Sequence, residues 1–474
     1  MNIPRFLELY QEGRLEDAFE SVVLDNPLPA STGRVCQHPC DNRCRRQSFD
    51  EVVNMREVHR FLADAIYQSD LFEPVLQRIC ARKLAPTGRK VAVAGSGPTG
   101  LTCAFYLAML GHDVTIFEER GEAGGMLRFA IPEYRLPKAV LRRELDLIEG
   151  VGVKMVFNTR IGFDLPLNEL ASQFDAVFLS IGTWKESWLY LPGTELKNVH
   201  PALPFLESVA RQEATAMGAR VAIIGGGNAA IDSARTVMRM GAQATILYRR
   251  ERKDMPAIDE EIQAAEDEGV RFVFLAAPHR IVGDAEGHVK AIEVVKTHLG
   301  EYDKSGRRRP IPTDEVQRFE CDSVIMAVGE SFDQDFCRAS GLALKEEGTI
   351  IVDRFTFETS RPNFYAGGDV ITGASNVSNA MSCGKQAARK MDERLMDDSP
   401  SGAARWEQLI PNFEYSRTAP GEPSLSRRHT AQTVPAALRA HSQVEVVAAL
   451  TPQEALDECR RCLRCDLRAT AGAN

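Results

Sequence analysis

Six of the eleven cysteines fall into two triplets. Cys36, Cys40 and Cys44 follow one another every four residues in GRVCQHPCDNRC, and Cys459, Cys462 and Cys465 every three residues in ECRRCLRC. Soft thiolates grouped this closely suit iron–sulfur or zinc chemistry. The first spacing is not the two-residue gap of zinc knuckles, and the second is close to the ligand runs of ferredoxins. Arg43, Arg45 and Arg46 crowd the first triplet, where positive charge lowers thiolate pKa and offsets the negative charge of a cluster. The isolated Cys80, Cys103, Cys321, Cys337 and Cys383 read as small buried or incidental residues.

Two glycine turns supply the second kind of chemistry. Residues 90–127 run from the apolar strand Val91–Ala94 into GSGPTG, then an apolar helix over 101–110, then a strand over 112–118 that ends in Glu118. Gly95 permits the tight turn, Gly97 lets a pyrophosphate approach the backbone, and Gly100 lets the helix pack on the strand. Pro98 and Thr99 open that helix, whose N-terminus presents unpaired N–H groups to phosphates. Glu118, roughly twenty residues past the glycines, is placed to accept hydrogen bonds from ribose hydroxyls. A second unit begins at Arg220, with Gly225, Gly227, Asn228, Ala229 and Ala230 in VAIIGGGNAAIDSA. Its second strand ends in Tyr248-Arg249-Arg250-Glu251-Arg252 instead of an acid. Arginines there neutralise a 2′-phosphate, so this site is expected to take NADPH through Arg249 and Arg250. Asn228 and Asp232 are expected on the phosphate or nicotinamide side.

The elements that position these groups suggest four parts. Helical periodicity over 4–24 and 50–80 brackets the first cysteine loop in residues 1–85. Residues 86–195 and 330–395 read as one doubly wound α/β domain into which 196–329, the second unit, is inserted. Residues 271–326 are expected to alternate short strands with the polar loop EYDKSGRRRPIP. Residues 396–474 read as an irregular strap over 396–440 and then a helix with an N-cap signal at Thr451 and Glu454. Small residues at strand ends, Gly182 and Gly329, suit close approach to a ligand.

The fold class expected is therefore α/β, with tandem Rossmann-like domains behind an N-terminal helical segment. A net charge of −9 implies no general affinity for nucleic acid. No run is long and apolar enough to cross a membrane, and the N-terminus lacks a secretory h-region, so a cytoplasmic location is expected. No CxxC flanks either glycine turn, so electrons must leave by a route other than a flavin-linked dithiol.

The order GRVC…C…C, apolar helix, then GSGPTG resembles the small subunit of NADPH-dependent glutamate synthase, the N-terminal half of dihydropyrimidine dehydrogenase and related transhydrogenase subunits. The resemblance implies FAD at the first glycine turn. Gly125, Met126, Leu127 and Arg128, then Ile131 in IPEYRLP, would run along the cofactor and near its ring. Asp369 after Gly367 and Gly368 would hold the ribityl chain. Residues 376–392, with Ala380, would aim a helix N-terminus at the flavin, stabilising negative charge on its reduced form. It implies 4Fe–4S clusters on the cysteines, but the family's usual upstream cysteine group is missing here, and His59 stands where a relative uses a non-cysteine ligand. A cluster takes about four ligands. The six clustered cysteines provide for one cluster; a second needs His59, a carboxylate, a lone cysteine or a partner's residue. The tail is pictured folding back to share a cluster with Cys44.

The function implied is an NAD(P)H-dependent FAD and iron–sulfur oxidoreductase subunit, with no side-chain acid or base required. It would move electrons between NADPH and a larger subunit of glutamate synthase, hydrogenase or formate dehydrogenase type. A self-sufficient NADPH oxidoreductase acting on ferredoxin or a quinone, and a non-catalytic electron relay, stand as alternatives.

Overall fold

A computed structural model of the chain describes residues 1–213, 216–303, 306–396, 400–410 and 424–468. Two five-stranded sheets, each wholly parallel, form its body. In the first, Phe364–Ala366, Ala176–Leu179, Lys90–Ala94, Asp113–Phe117 and Lys154–Val156 lie side by side in that order. The central strand buries every residue but Lys90, as a parallel strand covered on both faces must. The Pro98–Met109 helix is buried from Thr99 onward because the Val377–Leu395 helix lies along it. Gly384 permits that contact, since a Cβ there would stand 2.3 Å from the Thr99 carbonyl oxygen.

The second sheet has the order Val199–Pro201, Ser323–Met326, Arg220–Ile224, Gln243–Tyr248, Arg271–Phe274. The chain leaves the first sheet after Leu179 and returns after Met326, and the two crossings pair antiparallel as Lys185–Glu186 with Glu330–Ser331. Between them, the expectation of only short strands fails. Val289–Tyr302 and Arg308–Glu320 form a hairpin of 14- and 13-residue strands, with Ala276–Gly283 as a third. The outer strand is exposed along most of its length, so it carries no apolar alternation for a sequence pattern to register.

At the N-terminus the helix expected over 4–24 is two helices, Ile3–Gln11 and Leu15–Asp25, because Gly13 takes a left-handed turn at φ 76°. Pro29–Val35, Met55–Tyr67 and Phe72–Ala81 complete the bundle. The C-terminal Pro452–Arg460 helix starts with the reciprocal Thr451–Glu454 cap that the sequence signals. It docks back on this bundle. Tyr10 donates to the Pro452 carbonyl at 3.1 Å and Gln11 to that of Cys459 at 3.0 Å, while buried Glu458 accepts from the Asn54 N–H at 2.8 Å. In the stretch expected to be irregular, Pro400–Leu409 is a helix, while 424–450 has no regular structure beyond the Ala436–Arg439 turn of helix and a Thr433–Val447 bridge. Its residues 397–399 and 411–423 lie outside the described residues.

A buried ionic hub joins the parts. The carboxylate of Glu268, in the second unit, meets Arg235 at 2.6 Å, Arg239 at 2.7 Å and Arg439 of the strap at 3.2 Å. Arg239 and Arg235 in turn lie 3.6 and 4.8 Å from the ring centre of Tyr134, which belongs to the first unit, and Arg135 grips Asp232 at 2.7 Å. Removing one member of a buried network leaves the others uncompensated. Glu268→Ala is expected to cost ~3–5 kcal/mol, read as a lowered denaturant midpoint.

A second buried carboxylate ties the bundle to the first sheet. Glu144 accepts from the Ala30 N–H at 2.7 Å, the Ser31 N–H at 2.9 Å and the Ser31 hydroxyl. Burial pushes it up from 4.5 to about 7 despite these bonds. The folded chain then holds a proton that the unfolded chain releases, so its stabilising share is complete below pH 4.5 and is lost as pH rises through about 7. Unfolding free energies from urea titrations across that window should fall by up to ~3 kcal/mol on this account, and Glu144→Gln should flatten that part of the slope.

Candidate functional site

The C-terminal ends of both sheets open on one cavity of about 1290 Å³. At one end stand Gly95, Gly97, Pro98, Thr99 and Glu118; at the other Gly225, Gly227, Asn228 and Ala229. Each glycine has its own steric reason. Gly95, at φ 96°, would put a Cβ 2.7 Å from the Ser180 carbonyl oxygen, and Gly100 would put one 2.0 Å from the carbonyl oxygen of Gly95. Gly225, at φ 142°, would meet the Ala327 carbonyl oxygen at 2.2 Å. Gly97 and Gly227 face empty space, with nothing within 4 Å of an added Cβ. Two backbone cradles of one design thus face one void, and a pyrophosphate fits where a side chain would stand.

Around these turns the wall comprises Gly125, Met126, Ile131, Gly182, Gly329, Asp369 and Ala380. Gly125, at φ 52°, packs directly on Gly97, 2.8 Å from its Cα to an added Cβ. Leu127 and Arg128 depart from expectation. Leu127 is fully buried in the core, and the Arg128 side chain turns to the Ala123 carbonyl at 3.2 Å and Glu122 at 2.8 Å. Gly368 serves the turn behind Asp369, where a Cβ would collide with Thr99 Oγ1 at 2.2 Å. Glu118 is buried and accepts from the Ser96 N–H at 3.0 Å and hydroxyl at 2.6 Å, which fixes the glycine turn. Oε1 also accepts from the Arg120 N–H at 3.0 Å and keeps one further acceptor site, whereas Oε2 is taken up by Ser96. Asp369 accepts from Ser375 at 2.7 Å, and burial raises its pKa. The Val377–Leu395 helix, capped by Asn376, begins at this wall.

Sequence reasoning missed Glu330, which lines the void, is raised by burial, and accepts from Thr183 at 3.1 Å. It also missed Trp184, over which the Arg120 guanidinium stacks at 3.8 Å. Neither belongs to a local motif. Asp232 lines the void, but its carboxylate is occupied by Arg135 and is not a free phosphate-side group. Arg249 is exposed and borders the void, whereas Arg250 is buried and bonded at 2.6 Å to Asp303 and at 2.7 Å to the Arg308 carbonyl. Both arginines line the void, but Arg249 presents an exposed side chain there, while Arg250 spends Nε and Nη2 on Arg308 and Asp303.

Cys36 ends the Pro29–Val35 helix, and its sulfur lies 3.1 Å from Ser378 Oγ on the helix that borders the void. Its neighbours Val35 and Gln37 line the void themselves. Cys40, Cys44, Cys459 and Cys462 all pack on one apolar cluster beneath the N-terminal helices, so the tail does fold back onto the first cysteine loop. Among the described residues no three His, Cys, Asp or Glu side chains are grouped to hold a single metal ion. The donors are thiols on turns, the chemistry that iron–sulfur clusters use. Burial pushes Cys40 up to about 11 and raises Cys459 and Cys462, the last against the pull of Arg464. Arg46 is itself buried, bound to Asp50 at 2.5 Å. His59 corrects the sequence expectation most clearly. It is buried in the Met55–Tyr67 helix, with Nδ1 at 3.0 Å from the Met55 carbonyl, Nε2 at 3.5 Å from Thr32 Oγ1, and its pKa lowered by burial to about 4. Both ring nitrogens have partners within the bundle, so it is a core residue there.

A family model described as pyridine nucleotide-disulphide oxidoreductase matches residues 89–384, more than half of the chain. The chain belongs to that family. A second model, dihydropyrimidine dehydrogenase domain II with its 4Fe-4S cluster, matches residues 1–71. Together they make the chain an FAD- and NAD(P)-type oxidoreductase preceded by an iron–sulfur segment. The beta subunit of NADP(+)-dependent formate dehydrogenase from Moorella thermoacetica is 35% identical over 490 aligned residues, covering 98% of this chain and 69% of that one. The small chain of NADPH glutamate synthase from Escherichia coli is 34% identical over 405, covering 81% and 84%. Mycobacterium tuberculosis FprA in complex with NADPH shares the fold, with TM-score 0.56 at 19% identity, over 68% of this chain and 90% of that one. No helix among the described residues is long and apolar enough to cross a membrane.

The glycine geometry makes a paired test. Gly100→Ala should destabilise the chain by about 2–3 kcal/mol through overlap with the Gly95 carbonyl. Gly97→Ala should leave denaturant stability within ~0.5 kcal/mol yet lower the flavin retained on purification. Equal stability losses would contradict the assignment of open space to Gly97 alone.

Proposed function

We propose that this chain carries electrons between NADPH and a larger catalytic partner, with FAD on the Gly95–Gly100 turn, NADPH on the Gly225–Ala229 turn and iron–sulfur ligation by the two cysteine triplets. The observation that carries this reading is contiguity: both glycine turns face one void, and the residues flanking Cys36 form part of its wall. Bound FAD would supply the exchange between a hydride's two electrons and single-electron carriers. The chain's own residues do the rest by placement. Gly97 and Gly227 leave room for the pyrophosphates, and Glu118 Oε1 and Asp369 each offer an acceptor at the wall of the void. The capped helix at Asn376 presents its N–H groups where negative charge would accumulate. No side chain need act as an acid or base.

For the cluster we place Cys44 with Cys459, Cys462 and Cys465; the apolar cluster on which Cys40, Cys44, Cys459 and Cys462 all pack supports a site shared between loop and tail. Cys36 and Cys40 remain for a second cluster completed by another donor. Burial keeps Cys40, Cys459 and Cys462 protonated without iron, so loading must release protons and be favoured by higher pH. Similarity to beta and small subunits supports a larger partner, of formate dehydrogenase or glutamate synthase type.

The test is anaerobic addition of NADPH to the purified chain. Flavin bleaching and subsequent reduction of a one-electron acceptor are expected. Cys459→Ser with Cys462→Ser should lower iron content and the cluster EPR signal and abolish acceptor reduction, while flavin bleaching persists. Unchanged iron would sink the shared cluster, and no bleaching by NADPH would sink the electron-carrier reading as a whole.

A further inference from the structure

The hairpin formed by Val289–Tyr302 and Arg308–Glu320 reaches back over the strand end that carries Arg249 and Arg250. Its stem is fastened there, with Thr297 Oγ1 donating to the Arg249 carbonyl at 2.9 Å and the Thr297 N–H to the Leu275 carbonyl at 2.8 Å. Its tip is fastened too. Buried Arg250 spans from Asp303 Oδ2 to the Arg308 carbonyl, one contact on each side of the turn. Within the turn, the Asp303 N–H donates to the Arg307 carbonyl at 2.7 Å, and the Arg307 N–H to Asp303 Oδ1 at 3.2 Å. Arg308 braces the hairpin from inside, donating to the Gly300 carbonyl at 3.0 Å. The result is that Arg307, far away in sequence, lines the same void as Arg249 and the Gly225–Ala229 turn.

The Arg249 side chain has no hydrogen bond or ion pair among the described residues, the bond from Thr297 being at its carbonyl. Desolvation and the nearby charges of Arg250 and Arg307 lower its pKa, while Tyr248 and Asp303 act the other way, so several guanidiniums gather at this one end of the void. A dianionic phosphate supplies the opposite charge, and planar guanidinium groups bind it with paired hydrogen bonds.

We propose that Arg307, carried in by the hairpin tip, is the second guanidinium of the 2′-phosphate site beside Arg249, and that Arg250 is a positioning residue that holds the tip in place through Asp303. This rests on the reading that the second glycine turn takes NADPH. It makes NADPH selectivity a property of the hairpin as much as of the strand end, and makes Asp303, an acid, a contributor to phosphate binding.

The probes are adenosine 2′,5′-bisphosphate and 5′-AMP, titrated calorimetrically into the full-length holoprotein. The parent chain should prefer the bisphosphate. Arg307→Ala and Asp303→Ala should each weaken the bisphosphate roughly tenfold to a hundredfold and leave 5′-AMP unchanged. Combining Arg250→Ala with Arg307→Ala should be no worse than Arg307→Ala alone, because one variant removes only what positions the other. Asp303→Ala separates strut from field, since loss of a nearby negative charge should tighten phosphate binding if Asp303 did nothing structural. Tighter or unchanged binding in Asp303→Ala, unchanged binding in Arg307→Ala, additive losses in the double variant, or equal losses of both probes overturns the proposal. A parent chain that does not distinguish the two probes overturns the NADPH reading itself, a different result from selectivity that survives Arg307→Ala.

Discussion

The architecture depends on holding two sheets at an angle that turns both glycine cradles toward one void. The backbone crosses between them twice, and the two crossings pair only as a two-residue antiparallel ladder. The work falls to a buried carboxylate, Glu268, that gathers three guanidiniums, two of which flank the ring of Tyr134 from the opposite unit. Burying that much charge is tolerable only because every member has partners. The strap enters the same hub through Arg439, and the Val446 N–H donates to the Tyr134 carbonyl. The angle between the dinucleotide sites and the position of the tail are thus set by one set of contacts.

That economy extends to the iron–sulfur segment. Glu144 seats the helix that ends at Cys36, and Arg56 ties the Cys36 carbonyl to Glu260 of the second unit. The cysteine loop therefore touches both dinucleotide units, and its position is coupled to their arrangement. A route for electrons needs short, fixed separations more than it needs reactive side chains, and this is where the fold concentrates its buried polar contacts.

Much of this was legible in local sequence. The strand–glycine–helix–strand units, the Thr451–Glu454 cap and the cysteine triplets each carry their reason within a few residues. What local pattern could not reveal was how a side chain is occupied by partners distant in sequence. Arg250 looks like a phosphate ligand until Asp303 is seen to hold it. Asp232 looks free until Arg135 arrives from the other unit, and His59 looks like a ligand until Met55 and Thr32 are seen around it. The long hairpin was missed for a related reason: its outer strand faces solvent and has no apolar period to read. Leu127 and Arg128 follow directly after two residues that do line the void, and sequence adjacency says nothing about which way a short helix turns its side chains.

The docking of the Pro452–Arg460 helix on the first bundle has a consequence for biogenesis. Cys459 is made 415 residues after Cys44, so a nascent chain holds half of its thiols in place long before the other half exists. On the shared ligation proposed above, metal loading there would be among the last events of maturation. It would report that translation, folding of both sheets and closure of the tail have all succeeded. A chain that stalls or misfolds in between would expose an incomplete thiol set and stay colourless at the cluster, whatever its flavin content.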